Sequence, residues 1–326
     1  MPPSAPTRPL AHANEVPSLG RISLLLLLAA ACFATASPFA RAASPTHPLV
    51  IAAGRTGLAA LLLIATGPRA TLAPIAALPP RRGLAVAGAG AILAAHFGCF
   101  LGGLALTSLP AAVTLVSLEP VAVVVVAALA FRLRPRAGEV LGIALATFGA
   151  LIVARAAGQG AHRVAGDALV LVAALLFGVY LAAARGLASL LPARSYVALV
   201  YASASILLTL VCVVAGVPLT LAPGAWAYVV ALALLPTLGG HTLVQWASRH
   251  APPALVALVS PGETLGSLAL GALWLGERPS PLEGLGAFVV LVGVLVTLAA
   301  QRGRPAPSTL PFRAFDGARE SVTLFA

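Results

Sequence analysis

Two glutamates, Glu119 and Glu263, each lie near the middle of a long apolar stretch. An ionised carboxylate at the centre of a bilayer costs at least ~2.5–3.5 kcal/mol, so it faces a cavity, pairs with another group or stays protonated. Burial favours the neutral carboxyl, and such a group can take up a proton on one side of a membrane and release it on the other. It can also bind a cationic group. The alternative is a structural acid that forms hydrogen bonds between helices.

The two glutamates are 144 residues apart (263 − 119 = 144), and the same shift pairs other residues that are rare in this chain. Matches of leucine or alanine would mean little in so apolar a sequence, whereas matches of charged residues and proline are uncommon. The shift pairs Arg41 with Arg185, Arg134 with Arg278, Pro135 with Pro279, Glu139 with Glu283, Gly142 with Gly286, and Gly149 with Gly293. The chain therefore contains two copies of one unit, each with a carboxylate at membrane depth.

The composition excludes a soluble domain. Hydrophobic residues make up 60% of the chain and charged residues 9%, whereas a soluble domain has about 25% charged residues. A bilayer-spanning helix needs about 20 apolar residues, and in lipid only helices and closed barrels satisfy every backbone group. The predicted fold class is all-α: a polytopic membrane protein with ten transmembrane helices near 22–40, 47–66, 83–107, 109–131, 137–156, 165–186, 195–216, 225–247, 251–275 and 281–300.

The spans divide into two repeats of five. We expect disordered cytoplasmic tails at 1–20 and 301–326, repeats at 21–156 and 165–300, and a linker at 157–164 that contains Gly158 and Gly160. Five is an odd number, so the second repeat must enter the membrane from the opposite side to the first. Such inverted repeats are typical of secondary transporters that work by alternating access.

The N-terminal apolar run also resembles a signal peptide, because Arg21 precedes Leu24–Leu28 and the small residues 34–36. However, Leu25, Leu27, Phe33 and Arg41 match Leu169, Leu171, Phe177 and Arg185 of the second copy. We therefore expect this run to be retained as the first helix.

The net charge of +11 comes from arginine alone, since all 20 basic residues are arginine. With a cytoplasmic N-terminus, fifteen arginines lie on the cytoplasmic side and four outside, and Arg55 lies within a span. This distribution follows the positive-inside rule and places both termini in the cytoplasm. The charge thus reports orientation and does not indicate a nucleic-acid partner.

Several other polar or aromatic residues within the spans are candidates for binding a solute or a proton. Arg55 needs a carboxylate or an anionic group as a partner, unless its side chain reaches the membrane interface. His241 and Gln245 share one face of their helix because they are four residues apart. The remaining candidates, each with ordinary packing as the alternative, are His96, Tyr180, Tyr201 and Trp246.

Motifs of other functional classes are missing from the sequence. It has no phosphate-binding Gly-Lys-Ser/Thr loop, no His-Glu-x-x-His motif and no Gly-x-Ser-x-Gly motif. No histidine pair has metal-ligand spacing, and Cys32, Cys99 and Cys212 lie on separate apolar spans. We expect no enzyme activity, no metal and no cofactor.

Ten spans in two repeats, Glu119-Pro120 in the fourth span, and Leu275-Gly276-Glu277-Arg278-Pro279 after the ninth resemble the drug/metabolite transporter superfamily, and within it the EamA group. Arg55, Gly286, Gly293 and the Trp226 position extend the resemblance over about 21–300. It implies a bacterial inner-membrane carrier that exports amino acids, other metabolites or drugs, with both termini cytoplasmic.

Two positions depart from that pattern. The Leu-Gly-Glu sequence is replaced in the first repeat by Phe131-Arg132-Leu133-Arg134, and the second repeat has Glu263-Thr264 in place of Glu-Pro. The two halves are therefore not expected to be functionally equivalent.

The sequence predicts a carrier in the lipid bilayer that exports a small organic solute, with proton coupling through the two glutamates. Arg55 and the acids together fit an amino-acid-like zwitterion. An uncoupled facilitator or exchanger is the alternative within transport, and a membrane-embedded enzyme or accessory subunit is the alternative outside it. The sequence leaves the solute, the direction of transport and a homo-oligomeric state open.

Overall fold

The computed structural model describes residues 19–122, 125–126, 135–156, 162–187, 189–250, 256 and 259–300. Within these residues the structure contains helices and no strands, in agreement with the all-α prediction. Most of the tails at 1–20 and 301–326, residues 157–161 of the linker and parts of the fourth and ninth predicted spans lie outside the described residues.

The first repeat begins with helix α1, which runs directly into α2 and forms the first span. A short helix, α4, connects the second and third spans, and a helical turn at 119–122 follows α6. The helices of this repeat are α1 (Leu19–Ala34), α2 (Ala36–Ala42), α3 (Pro48–Ala65), α4 (Pro68–Ala76), α5 (Pro80–Leu106), α6 (Leu109–Val116) and α7 (Ala137–Ala154).

The second repeat contains two π-helical stretches, in which the backbone bonds reach five residues back instead of four. The first stretch, Ala233–His241, contains Pro236 and interrupts the third span of this repeat. The elements are α8 (Val164–Gly186), α9 (Ala193–Val214), α10 (Ala225–Leu232), the π-helical stretch Ala233–His241, α11 (Thr242–His250), α12 (Val259–Leu270), the π-helical stretch Gly271–Leu275 and α13 (Pro281–Ala300).

Eight helical segments among the described residues are long and apolar enough to cross a membrane. They coincide with the first, second, third, fifth, sixth, seventh, eighth and tenth predicted spans. The fourth and ninth are represented by shorter described segments, 109–122 and Val259–Leu275. The chain is therefore a multi-pass membrane protein.

The two repeats pack against each other along related pairs of helices. Helix α5 packs on α8, and in the corresponding arrangement Ala233–His241 packs on α1. Helix α6 likewise packs on α8, and α12 packs on α1, while α3 packs on its own counterpart α9. Both repeats thus surround the same central space.

Helices α7 and α13 form the most extensive contact between the repeats, along a seam lined with glycine. A Cβ on Gly142 would lie 2.7 Å from the carbonyl oxygen of Gly293, and a Cβ on Gly149 would lie 2.9 Å from that of Gly286. Only glycine lets two backbones approach this closely. The earlier glycine of α7 meets the later glycine of α13, so the two helices run antiparallel.

A break in the helix precedes Glu119. Helix α6 ends at Val116, Ser117 and Leu118 form a turn, and helical structure resumes at 119. Proline is tolerated in the first turn of a helix, where its missing N–H removes no hydrogen bond. The break in the helix thus lies directly before Glu119 and Pro120. Pro261 lies in the first described turn of α12, and the helix continues through Glu263.

Candidate functional site

A small, narrow cavity lies between the repeats, with about 20 Å³ of space open to the centre of a water-sized sphere. It is lined by five of the nine residues that the sequence nominated, together with four phenylalanines and two small apolar residues. The lining consists of Phe33, Ala36, Arg55, His96, Phe97, Phe100, Val116, Glu119, Phe177, His241 and Glu263.

The two membrane-depth carboxylates, Glu119 and Glu263, meet in this cavity. The side chains are 9% and 7% exposed, and the two groups are close enough to influence each other's charge. Among the described residues, neither has a hydrogen bond or an ion pair within 4.0 Å. Both acids therefore direct their charge at the cavity, which suits them to bind a cationic group or a proton.

Arg55 is held rigidly at the wall of the cavity, with a side chain that is 1% exposed. Its Nε donates a hydrogen bond of 2.8 Å to the hydroxyl of Thr237, and its guanidinium carbon lies 4.3 Å from the centre of the Phe97 ring. The nearby charge of Glu263 attracts the guanidinium. The guanidinium thus lies buried among a hydroxyl, an aromatic face and a carboxylate instead of extending to the membrane interface.

The two histidines occupy the centre of a group of aromatic rings. The His241 ring makes edge contacts with Phe33 at 4.8 Å and Phe97 at 5.1 Å between ring centres. His96 lies 6.3 Å from His241, and its Nδ1 is 2.8 Å from the carbonyl oxygen of Ala173 in α8. These rings fill much of the space beside the acids, so the apolar part of a bound solute would lie against aromatic faces.

The 144-residue shift pairs six of the eleven residues that line the cavity. Besides the two glutamates, the shift pairs Phe33 with Phe177 and Phe97 with His241, and all four line the cavity. The lining residues Arg55 and His96 break this symmetry, because their counterparts are Leu199 and Gly240. The two repeats thus supply matching acids and rings, whereas the basic side chains do not match.

The other four nominated residues lie outside the lining. Tyr180 contacts the rings of Phe177 and His241, and Gln245 is buried in α11. Tyr201 donates a 3.0 Å hydrogen bond to the backbone carbonyl oxygen of Thr237. This bond helps to position Thr237, whose hydroxyl accepts the hydrogen bond from Arg55. Trp246 packs against a separate apolar cluster that includes Ile22 and Leu26.

The four phenylalanines and Thr237 were not predicted from the sequence as site residues. Phe33 and Phe177 could have been found, because they match under the same shift as the two glutamates. Thr237 carries no such signal, since a threonine in a membrane helix commonly bonds its own backbone. It does so here as well, donating to the carbonyl oxygen of Leu232 at 2.7 Å.

The donor set gives no indication of a metal. Within the described residues, no group of three or more His, Cys, Asp and Glu side chains is arranged to hold an ion. What the arrangement offers is one fixed cation, two acids and a set of aromatic faces.

Comparison with solved structures supports the fold. One structure, described only as the crystal structure of a protein, superposes with a TM-score of 0.65 at 20% sequence identity. The match covers 88% of this chain and all of the other. No curated protein matched the sequence.

Comparison with protein families was decisive. The EamA-like transporter family matches twice, over residues 20–155 and 164–299. The two matches begin 144 residues apart and end 144 residues apart, which is the shift that relates the two glutamates (164 − 20 = 299 − 155 = 144). The chain belongs to the EamA-like transporter family, within the drug/metabolite transporter superfamily.

Proposed function

We propose that this chain is a secondary transporter with ten spans in two inverted repeats, which exports a small organic solute, such as an amino acid or a drug, across the cytoplasmic membrane. In this proposal both termini are cytoplasmic and the cavity is the solute site. Glu119 and Glu263 exchange protons for the solute. The observation that carries the proposal is the meeting of these two acids, one from each repeat, in a single buried cavity.

The chemistry of the lining supports a solute with a cationic group. A protonated amine of the solute can pair with either acid, and Arg55 can bind a carboxylate of the solute. The aromatic faces can bind a cationic or apolar part of the solute. Competition between a proton and the cationic solute for the same acids is the simplest way to couple their movements. A zwitterion uses both kinds of charge in the cavity.

Metabolite profiling followed by reconstitution tests the function. A solute that accumulates in a deletion strain and is depleted in an overexpressing strain is added to proteoliposomes that contain the purified chain. An acidic vesicle interior should drive uptake, because protons leaving the vesicle exchange for the entering solute. Flux that does not respond to the pH gradient would identify a facilitator or exchanger. Flux no greater than in protein-free vesicles would contradict transport altogether.

We expect Arg55→Lys to lower solute flux by about ten-fold or more, because a hydrogen bond to a charged group contributes about 1.5–3 kcal/mol. Lysine retains the charge, but a compact ammonium cannot both bond Thr237 and lie flat over Phe97 as the planar guanidinium does. The measurement is initial flux in proteoliposomes, normalised to the amount of folded protein.

Thr237→Ser is the matched control for this change, because it keeps the hydroxyl that Arg55 bonds. It should retain most of the flux. Equal flux in Arg55→Lys and the parent would show that the planar guanidinium is not required.

A further inference from the structure

A second group of charged side chains lies outside the cavity, at one end of the helical body. Its centre is His162, which precedes α8 and is 2% exposed. The Nε2 atom of His162 lies 2.8 Å from Oδ2 of Asp167, and its Nδ1 atom lies 3.4 Å from Oε1 of Glu283. The imidazole thus lies between the two acids, with one ring nitrogen nearest to each.

Hydroxyls at the turn between α5 and α6 tie the first repeat to this group. Thr107 donates a hydrogen bond of 2.7 Å to Oδ1 of Asp167, and Ser108 donates a hydrogen bond to Oε1 of Glu283. Both acids therefore accept bonds from the first repeat, although they lie in the first turns of α8 and α13 of the second repeat.

An ion pair extends the same group to the first span. The Nε atom of Arg41, in α2, lies 3.0 Å from Oε1 of Glu277. The Nη2 atom of Arg41 donates to the carbonyl oxygen of Thr107 at 2.8 Å, and the backbone N–H of Leu109 donates to Oε2 of Glu277 at 3.2 Å. These bonds connect the ends of the first and ninth spans to the turn between α5 and α6.

The charged side chains around His162 lie one to a few helical turns away from the cavity. In every helix they lie on the side of the turn between α5 and α6. In α2 the cavity residue is Ala36 and the charged residue is Arg41, and in α5 Phe100 precedes Thr107 by two turns. In α8, which runs the other way, Asp167 precedes the cavity residue Phe177. A solute that leaves the cavity at this end must pass between the elements that the group joins.

We propose that Arg41, Ser108, His162, Asp167, Glu277 and Glu283 form a latch that holds this end of the transport path closed and must break when that end opens. The inference rests on the proposed transport function. Five elements from both repeats share the latch, so none of them can swing away at this end without separating charges from their partners. The predicted topology places the latch on the side away from the cytoplasm.

Glu139 offers a matched control, since it is the counterpart of Glu283 under the 144-residue shift. Each acid caps its helix: Glu139 accepts the N–H of Arg136 at 2.6 Å, and Glu283 accepts the N–H of Ser280 at 2.8 Å. However, Glu139 lies at the opposite end of the seam, where the Arg136 side chain bonds the last residue of α13, Ala300. Glu139→Gln therefore makes the same change in a comparable capping acid without touching the latch.

The test is access to the cavity from each side of the membrane. Ala36→Cys is introduced as a reporter into the full chain after the three native cysteines have been replaced. A charged, membrane-impermeant methanethiosulfonate is applied to right-side-out and to inside-out vesicles. We expect Glu283→Gln to raise the labelling rate by about ten-fold from one side only. The substitution destabilises the closed form relative to the form that is open at this end, so the open form becomes more populated. Glu139→Gln should leave the rate from that side unchanged.

Arg41→Gln provides a second variant if Glu283→Gln does not fold, because it breaks the ion pair with Glu277 and leaves Glu283 in place. It should raise labelling from the same side. Unchanged labelling in the folded latch variants would overturn the latch, even if the protein transports solute. Increased labelling in a protein that moves no solute would support the latch and contradict the transport function.

Discussion

Replacing Glu263 by glutamine should lower solute flux by about a hundred-fold or more, because a charge-assisted bond to the solute contributes about 1.5–3 kcal/mol and the proposed proton site is lost with it. The cavity that Glu263 lines also contains the guanidinium of Arg55, which is 1% exposed. Glutamine keeps the size of the side chain but offers no negative charge to the guanidinium, the proton or a cationic solute. The measurement is initial flux into proteoliposomes with an acidic interior.

Glu119→Gln is the informative comparison, because the two positions are counterparts in the repeats. It removes the neighbouring acid while leaving Arg55 and Glu263 together, so we expect a smaller loss, of about ten-fold. If solute flux falls equally in the two variants, the unequal placement of the basic side chains does not make the two glutamates functionally different.

The pH dependence of the remaining flux separates coupling from simple binding. Flux in the parent should change with pH because protons and solute compete for the acids. The residual flux of Glu263→Gln should respond much less. If Glu263→Gln retains full flux and that flux is independent of pH, the proton role of this residue is wrong.

Gly293→Ala should prevent stable folding or lower the free energy of unfolding by about 3 kcal/mol or more, because overpacking against a fixed backbone is costly. The added Cβ would lie 2.7 Å from the carbonyl oxygen of Gly142 and 2.8 Å from Cα of Ala146. Both are backbone atoms of α7, so no side-chain rotation relieves the contact. Thermal denaturation of the detergent-purified protein, together with its yield from membranes, measures the effect.

Gly284→Ala is the matched control for the seam. It lies in the same helix, α13, and a Cβ there would meet no atom within 4 Å. Its stability should be unchanged or slightly higher, since alanine favours the helix over glycine by about 1 kcal/mol. Gly149→Ala, at the counterpart of Gly293, should reproduce the loss. If Gly293→Ala is as stable as the parent, α7 and α13 can move apart without lowering the free energy of unfolding.

The main outlines of the fold could be predicted from the sequence because a lipid environment leaves few choices. Eight of the ten predicted spans coincide with long apolar helices, and the repeat shift read from Glu119 and Glu263 equals the shift between the two family matches. The π-helical stretches were not foreseen. They depend on how backbone hydrogen bonds rearrange around residues such as Pro236. The pattern of hydrophobic residues carries no information about this rearrangement.

Residues of the site could be predicted from the sequence only where a polar or charged side chain lies within an apolar span. Arg55, His96 and His241 stood out as polar residues in apolar spans, and all three line the cavity. Trp246 stood out equally but packs on a different cluster, because a sequence does not say which side of a helix meets the other repeat. The latch was missed for a related reason. His162 lies in the predicted linker and Asp167 at the edge of the sixth predicted span, and neither stands out until folding places His162 between Asp167 and Glu283.

The π-helical stretch Ala233–His241 makes the winding of the backbone a determinant of the site. An α-helix turns by about 100° per residue, whereas the bonds of a π-helix reach five residues back and its turns are wider. Thr237, the partner of Arg55, and His241, the ring at the centre of the aromatic group, both lie in this stretch. Rewinding the stretch as an α-helix would turn these two side chains relative to the helices on either side. The imidazole is thus placed by how the backbone winds as much as by its chemistry.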